Sequence, residues 1–371
     1  MENLVMIKAF GALEDPRNTK TKNFLYPLGE ILLVAFATIL SGGRTYVDMC
    51  LFGNAKLDFF KTLLPFESGI PSPDTFEAVF GALNPKKFEE CFLNWINDLK
   101  LNYNGEFIGI DGKKLRRSKK KGRNPLHVIN AWSHKNRAVL GCKAIKEGGG
   151  EIATVPEVLK ILSLKGAIVT MDAMGSQKVE ILNQIVEQGG DYVIALKANQ
   201  LTLHNNVKAY LEDKKNNEKI AIHETIEKDH GRIERRKYGF TADILEVKNN
   251  SDSKWYTVNG IGYVEAKRTI NEKTSIQTRY FIVSSDIGIT KFVEAVRGHW
   301  GIENNLHNFL DVALLEDLSR VRNRNAAQNL AVLRRMGVNR IEKNKKPKLS
   351  KRCMLLKAGW DTDYLKSLLF Q

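Results

Sequence analysis

Two aspartates in this sequence each follow directly on a short apolar run, a placement that can support catalysis. Asp111 ends the run at residues 107–110, and Asp172 ends the run at residues 166–171. Such runs predict buried strands, and a carboxylate at a strand's carboxyl end emerges where open α/β sheets commonly bind ligands. An aspartate at a strand end is also a common turn residue or helix cap, so neither residue is decisive alone.

As a pair, the two aspartates indicate a metal site. In the predicted fold their strands are neighbours, so the two carboxylates would repel each other unless a cation lay between them. Hard oxygen ligands with few protein contacts suit Mg²⁺, for which Mn²⁺ can substitute. Two such ions can activate an attacking oxygen and stabilise a leaving oxygen, so the pair predicts phosphoryl transfer.

A third carboxylate is expected in residues 297–311, where His299, Glu303 and His307 recur at every fourth residue. On an α-helix these three side chains share one face, and Trp300 lies beside them. Because His and Glu also bind zinc, a zinc site is an alternative, as is a solvated polar face without metal. The sequence lacks an HExxH motif, and the two strand aspartates favour a harder ion than zinc.

Basic residues follow Asp111, and a second group of them follows the segment that contains Glu303. The first run, without an acid in it, is Lys113, Lys114, Arg116, Arg117, Lys119, Lys120, Lys121 and Arg123. The second group is Arg320, Arg322, Arg324, Arg334 and Arg335, followed by Lys343, Lys345, Lys346 and Lys348. Such residues would bind phosphates, release counterions and position DNA without reading its sequence. A solvated loop is the alternative for the first run.

Further candidates for nucleic-acid contact lie outside these groups. They are Lys197 after a predicted strand, Arg232 in a His-Gly-Arg turn sequence, and Arg297, His299 and Trp300 beside the expected third carboxylate. Trp255 could stack on an extruded base, since aromatic faces accept any base, although a place in the core is the more common role.

The elements that must hold these residues are predicted by hydrophobic patterning. Residues 107–111, 126–132, 138–145, 166–172 and 192–196 are predicted strands, and residues 152–162 and 177–187 are predicted helices. Three strands, helix, strand, helix, strand is the order of an RNase H-like core, an α/β fold with a mixed five-stranded sheet and flanking helices.

Five segments are predicted around this core. Residues 1–103 form a helical domain expected to bind DNA, with a buried helix over 31–40 and N-caps at Ser72 and Asn84, each followed by proline. Residues 104–200 form the first part of the core, and 201–286 a β-rich insertion with strands at 220–227, 255–264 and 278–283. Residues 287–342 carry Glu303 and end the core, and 343–371 form a basic tail.

Composition favours a polyanionic partner. The 371 residues carry a formal net charge of +15, which says nothing about the fold but fits DNA. The apolar run near 31–40 is too short to span a bilayer and too far into the chain for a signal peptide, so no membrane association is expected. The four cysteines form no CxxC pair, and buried thiols in a reducing cytoplasm are expected.

The sequence resembles the insertion-sequence transposases of the DDE type, in the H-repeat-associated (Rhs-linked) group. The matching stretches are IDGKKLRRS at 110–118, LKGAIVTMDAMGSQK at 164–178, ALKANQ at 195–200, HGRIE at 230–234, and residues 15–17, 72–75 and 297–317. The resemblance covers nearly the whole chain. It implies that Asp111, Asp172 and Glu303 are the catalytic and metal-binding triad of an RNase H-like fold, with a β insertion before the glutamate.

The expected function is therefore metal-dependent cleavage and strand transfer of an insertion sequence. Its DNA partners would be the element's terminal repeats and the target, bound by a homodimer because each synapse holds two ends. The cytoplasm is the expected location, with nucleoid association on DNA. Alternatives are a structure-specific DNA nuclease of the same fold, which would not join ends, and a transposase-derived DNA-binding protein without activity. The presence of all three acids argues against the last.

Overall fold

The computed structural model describes residues 4–20, 24–120, 122–229, 232–270, 273–345 and 348–370. The chain forms two compact units. The first comprises Met1–Leu101, Gly112–Gly149 and Glu303–Gln371, and the second comprises Asn102–Asp111 and Gly150–Ile302. The chain therefore passes from one unit to the other directly after Asp111 and directly before Glu303.

The secondary structure runs as follows in chain order. The helices are α1 Val5–Phe10, α2 Leu28–Leu40, α3 Tyr46–Ala55, α4 Leu57–Lys61, α5 Pro73–Ala82, α6 Pro85–Asp98, α7 Glu151–Lys160, α8 Val179–Glu187, α9 Leu201–Glu212, α10 Leu245–Asn249, α11 Gly288–Gly301, α12 Asn308–Val312, α13 Arg324–Lys343, α14 Lys351–Trp360 and α15 Thr362–Leu369. The strands are β1 Phe107–Leu115, β2 Leu126–Ser133, β3 Ala138–Ala144, β4 Ile168–Met171, β5 Asp191–Leu196, β6 Ala221–Asp229, β7 Arg232–Thr241, β8 Gly260–Ile270 and β9 Lys273–Val283.

Helices dominate the N-terminal part of the first unit, as predicted. Ser72 caps α5 by accepting a hydrogen bond from the Thr75 amide, and Asn84 caps α6 by accepting from Lys86 and Lys87. Proline occupies the first position of both helices, where its missing N–H is not needed. These two predicted helix starts and the buried helix α2 are confirmed.

Helix α13 is the buried centre of the first unit. It packs against α2, α5, α6 and β3, and most of its side chains are buried, including Arg334, Arg335 and Arg340. The guanidinium of Arg340 donates to the Leu368 carbonyl oxygen at 2.9 Å, which connects α13 to the end of α15. The segment predicted as a basic tail, 343–371, therefore contains two helices, α14 and α15.

The strands form one mixed sheet in the order β3-β2-β1-β4-β5-β9-β8-β7-β6. Strands β1, β4 and β5 are parallel, whereas β2 and β3 are antiparallel, as are the pairs from β5 through β9 to β6. A five-stranded sheet was predicted for the core, with further strands in the β-rich segment, and the structure joins all of these strands into one sheet of nine. Strand β9 pairs with β5 from Val283 to Tyr280, so the β-rich segment satisfies the hydrogen-bonding groups that β5 would otherwise expose at an edge.

Helix α11 is held on the sheet of the second unit by aromatic packing. The ring of Phe292 lies 5.6 Å from the ring of Phe240 and 5.6 Å from that of Phe281. At Gly262 a Cβ would come within 2.5 Å of the Phe292 ring, so only glycine permits this close approach. This packing fixes the course of α11 toward its carboxyl-terminal residues.

Two predictions made from composition concern membrane-spanning segments and the burial of the cysteines. Within the described residues no helix is long and apolar enough to cross a membrane. All four cysteines are free thiols, but only Cys142 is buried, while Cys353 is exposed. The expectation of buried thiols is therefore wrong for Cys353, which lies near the start of α14, on a helix with one solvated side.

Candidate active site

Asp111 and Asp172 lie on adjacent strands at corresponding positions. The parallel register of β1 and β4 pairs Ile110 with Met171, and each aspartate is the next residue in the sequence. Asp172 directly follows β4, but β1 continues past Asp111 to Leu115, so the prediction that Asp111 ends its strand is wrong. Neighbouring strands are about 4.8 Å apart, so the prediction that the two aspartates share one sheet edge is confirmed. The Oδ1 atom of Asp172 accepts a hydrogen bond from the Met174 amide at 2.9 Å, which orients this exposed carboxylate.

Lys197 lies at the same edge of the second unit. Strand β5 runs parallel to β4, with Ile194 paired to Met171, and the exposed Lys197 follows the end of β5. The loop after it is fixed by the Asn199 amide, which donates to the Ala173 carbonyl oxygen at 2.9 Å. Lys197 is therefore an exposed cation that follows the strand next to β4, and its role in phosphate binding stays a prediction.

The carboxyl-terminal end of α11 lies over β1 and β4. The Nδ1 atom of His299 is 3.3 Å from the Thr170 hydroxyl, two residues before Asp172. A Cβ at Gly109, two residues before Asp111, would meet the Ile302 Cβ at 3.4 Å. The glycine allows this close packing, and Glu303 is the residue that follows Ile302.

Two other candidates on α11 already have partners. Arg297 forms an ion pair with Glu227 of β6. Trp300 is half exposed, and the Arg279 guanidinium lies 5.2 Å from its ring centre. A role for these side chains in DNA binding stays a prediction, and for Arg297 it would require exchange of Glu227 for a phosphate.

In the first unit, Glu303 is bound to His307. Residues Ile302–His307 form a π-helix rather than a continuation of α11, although Glu303 and His307, four residues apart, still contact each other as predicted. Single π-helical turns occur frequently at functional sites. The Glu303 carboxylate is exposed, whereas His307 is buried, and His307 Nδ1 lies 2.9 Å from Glu303 Oε2.

The environment of His307 favours the neutral form of its imidazole. Burial lowers the pKa of its imidazole below the ordinary value, although the hydrogen bond and charge of Glu303 oppose this effect. Its second nitrogen, Nε2, lies 3.4 Å from the side-chain amide of Asn130 on β2. Both ring nitrogens therefore have partners within the first unit.

Behind Asn130 lies a fully buried ion pair. Arg335 donates from Nε to Asn130 Oδ1 at 2.6 Å, and from Nη1 and Nη2 to the Glu316 carboxylate at 2.7 and 3.3 Å. Burial opposes ionisation of Glu316, but Arg335 and Arg334 outweigh it and hold the pKa of the carboxyl below its usual value. The prediction that Arg334 and Arg335 form a DNA-binding patch is wrong, because both are buried around this carboxylate.

The basic run after Asp111 is divided by burial. Lys113 is only 6% exposed, and its ammonium lies 2.5 Å from Asp311 and 3.3 Å from Asp317. Lys114, Arg116 and Arg117 are exposed. Lys113 is therefore held by two acids, and Arg116 pairs with Asp317 at 3.2 Å while its side chain stays exposed.

The remaining candidates are spread over the described chain. Arg320 and Arg322 are exposed, and Arg324 is half-buried and donates to the Ile145 carbonyl oxygen at 2.8 Å. Trp255 is buried, in agreement with a role in the core. Arg232 begins β7, but its side chain lies outside the described residues, as do His230, Lys121 and Lys346.

Replacing the three exposed cations of the first run, Lys114, Arg116 and Arg117, by alanine should weaken binding to all DNA sequences alike. Removal of each cation that binds a phosphate should flatten the slope of log affinity against log salt by about 0.9. Fluorescence anisotropy on two unrelated duplexes over a salt series measures this. The control replaces three other exposed lysines, Lys61, Lys160 and Lys165, which removes the same net charge. Equal slopes for both triple variants would show that this run faces away from DNA.

A residue beside the site that sequence reasoning missed is Asn130. It lies in the middle of a predicted strand with no acidic or basic neighbour in sequence, so nothing local indicates that it contacts His307 and Arg335. An amide at a buried strand position is itself a signal, since a buried polar group requires hydrogen-bond partners.

Comparison with known proteins places the chain in a family. Residues 103–340 match the transposase DDE domain, and residues 7–96 match the region associated with that domain. The chain is 35% identical over 361 residues to the "H repeat-associated putative transposase YhhI" of Escherichia coli K12, covering 95% of both chains. It is 36% identical over 351 residues to YbfL of the same strain, covering 93% of this chain and 92% of YbfL.

A further relative is the "Putative transposase YncI" of Escherichia coli O157:H7, 31% identical over 350 residues, which covers 93% of this chain and 89% of YncI. The similarity thus extends through the helical N-terminal part as well as the sheet. The chain belongs to the family of transposases with a DDE domain, and within it to the H repeat-associated group.

Proposed function

We propose that this chain is an enzyme that cleaves DNA at the ends of an insertion sequence and joins the freed strands to target DNA. The observation that carries the proposal is the in-register placement of Asp111, within β1, beside Asp172, directly after the parallel strand β4, in a chain of the DDE transposase family. Adjacent carboxylates of this kind are stable beside a cation and are of little use to a structural protein.

An RNase H-like core supports this function. The part of the sheet ordered β3-β2-β1-β4-β5, with an antiparallel β2–β3 pair and parallel β1, β4 and β5, has the strand order expected of that core. Strands β6 to β9 would then be an insertion that extends the sheet from β5. The packing of Ile302 on Gly109 supports Glu303, the next residue, as the third acid.

The donor set fits hard divalent cations. Asp111, Asp172 and Glu303 would hold two Mg²⁺, and Mn²⁺ could substitute. Once bound, these cations would activate the attacking oxygen and stabilise the leaving oxygen. A zinc site at His299, Glu303 and His307 is disfavoured, because His299 Nδ1 faces Thr170 and both nitrogens of His307 are engaged by Glu303 and Asn130.

The reaction is two successive displacements at phosphorus. Water attacks the phosphodiester at the element end, and the 3′ oxygen leaves. The freed 3′ hydroxyl then attacks a target phosphodiester, forming a new bond to phosphorus as the target's own 3′ oxygen departs. Lys114, Arg116, Arg117 and Lys197, all exposed, would hold the backbone phosphates in place for both steps. A homodimer would hold the two ends.

The proposal is tested by incubating the protein with double-stranded DNA that carries the flanking element ends and a target plasmid, followed by sequencing of the products. Joined ends are the expected result. Cleaved but unjoined ends would instead identify a structure-specific nuclease, and intact DNA under all conditions would indicate a DNA-binding protein without activity.

The same assay tests the metal. Because carboxylates supply the ligands, Mg²⁺ and Mn²⁺ should support cleavage, whereas Ca²⁺ should support DNA binding with little cleavage. The measurement is the cleaved fraction at matched concentrations of each ion, with a chelator-treated sample as the control. Cleavage of element ends that persists in the chelator would contradict the two-metal mechanism.

A further inference from the structure

We infer that His307 is a positioning residue that orients the Glu303 carboxylate, and that Asn130, Arg335 and Glu316 hold His307 in place through a buried chain of hydrogen bonds. This inference rests on the proposed function of Glu303 as a metal ligand. It adds a reason why that carboxylate, which is 57% exposed, would keep one orientation.

Arg335 determines the direction of each hydrogen bond in the series that runs through Asn130 and His307 to Glu303. Its guanidinium has donors only, so the Asn130 atom 2.6 Å from Arg335 Nε is the carbonyl oxygen Oδ1. The amide nitrogen of Asn130 then faces His307 Nε2 at 3.4 Å, and Nε2 accepts. In a neutral imidazole the proton is therefore on Nδ1, which donates to Glu303 Oε2 at 2.9 Å. One tautomer of His307 satisfies its contacts with both Asn130 and Glu303.

The buried end of this series of hydrogen bonds, at Arg335 and Glu316, is fixed in place. Arg335 and Glu316 are each 0% exposed, as is Asn130, and His307 is 5% exposed. Arg335 also donates to the Ala331 carbonyl oxygen at 2.8 Å, so its guanidinium is held from several sides. A buried and fully bonded group has little freedom to rotate, and each bond transmits this restriction to the next residue.

At Glu303, the exposed end of this series of hydrogen bonds, the restricted rotation affects metal binding. An exposed glutamate ordinarily samples several rotamers, and ordering it opposes metal binding with a loss of entropy. The bond from His307 occupies Oε2 and leaves Oε1 of the same carboxylate to bind a cation. Hydrogen-bond partners of metal ligands act in this way elsewhere, and their loss typically weakens metal affinity about 10- to 100-fold.

Titration calorimetry with Mn²⁺ alone, on the full chain without DNA, tests the inference. His307→Ala should weaken Mn²⁺ binding about 10- to 100-fold. His307→Asn should recover most of the affinity, because its amide nitrogen lies near the position of Nδ1 and can still donate to Glu303. His307→Gln places its amide near Nε2 instead, so it should behave like His307→Ala. Equal affinity in all three variants and the parent chain would overturn the inference.

A double variant separates positioning from a general loss of structure. If His307 acts through Glu303, His307→Ala should cost little further affinity once Glu303→Gln is present. Additive losses would overturn the inference. Asn130→Leu, similar in size, offers a second route: it should weaken Mn²⁺ binding in the same direction while the thermal unfolding transition stays cooperative. An unchanged Mn²⁺ affinity in a folded Asn130→Leu variant would overturn the part of the inference that extends beyond His307.

The outcomes also distinguish this inference from the proposed function. If Glu303→Gln binds Mn²⁺ like the parent chain, the assignment of Glu303 as a ligand fails, and the inference fails with it. If Glu303→Gln loses affinity while His307→Ala does not, the ligand assignment stands and only the positioning role fails.

Discussion

Replacing Glu303 by glutamine should abolish strand cleavage while leaving binding to element ends nearly intact. Glutamine keeps the shape of the side chain, and its carbonyl oxygen can still accept the hydrogen bond from His307. It removes the negative charge that a divalent cation requires. A loss of about 10²- to 10³-fold in cleavage rate is expected from removal of one strong transition-state stabilising group, which would leave no detectable product in an end-cleavage assay.

Asp311→Asn is the matched control. Asp311 is an acid eight positions further along the same motif, but its carboxylate lies 2.5 Å from the ammonium of Lys113. That contact gives Asp311 a structural role, so Asp311→Asn should retain measurable cleavage. Gel assays of end cleavage and of end binding, on variants shown to be folded, provide the measurement. Normal cleavage by Glu303→Gln together with none by Asp311→Asn would mean that the third ligand has been assigned to the wrong residue.

The pairing of Asp111 with Asp172 could be predicted from sequence, because a few consecutive apolar residues are enough to indicate each strand. Runs of four to six apolar residues predict β1, β4 and β5, and the element order of an RNase H-like core places these three strands side by side and parallel. Asp111 and Asp172 therefore become neighbours through rules that need no knowledge of side-chain packing. The register of β1 and β4 agrees to the residue.

The strands after β5 were harder to predict. Strand β7 carries Arg235, Arg236 and Lys237 in succession, which hides the alternation of a strand, and both β7 and α9 were missed. Whether the later strands form a separate sheet or extend the first depends on pairing between β5 and β9. That pairing joins residues far apart in sequence, and hydrophobic patterning contains no information about it.

Charges were predicted least well. Arg334, Arg335 and Lys113 were expected to face DNA, since basic residues are rarely buried without a partner. Their partners are acids elsewhere in the chain: Glu316 for the two arginines, and Asp311 and Asp317 for the lysine. The π-helix at Ile302–His307 was not predicted either, because the sequence spacing of His299, Glu303 and His307 was interpreted as a regular α-helix.

Arg335→Met should destabilise the first unit by about 3–5 kcal/mol, because it leaves the buried Glu316 carboxylate without its main partner. Arg334 Nη1 lies 3.9 Å from Glu316 and compensates part of the charge, so the lower end of that range is expected. Urea unfolding followed by circular dichroism measures the change in the unfolding free energy. Arg320→Met, at an exposed position, is the control and should change it by less than about 0.5 kcal/mol.

The double variant Arg335→Met with Glu316→Leu removes both charges and should recover much of the lost stability, since a buried ion pair can often be replaced by apolar residues of similar volume. It should not recover Mn²⁺ affinity, because Asn130 would still lack the donor at Arg335 that fixes its orientation. The double variant would then regain stability without regaining Mn²⁺ affinity. The charge balance of the ion pair determines the stability, and the hydrogen bond from Arg335 to Asn130 determines the Mn²⁺ affinity. Recovery of both together would show that Arg335 acts on the site only by keeping the first unit folded.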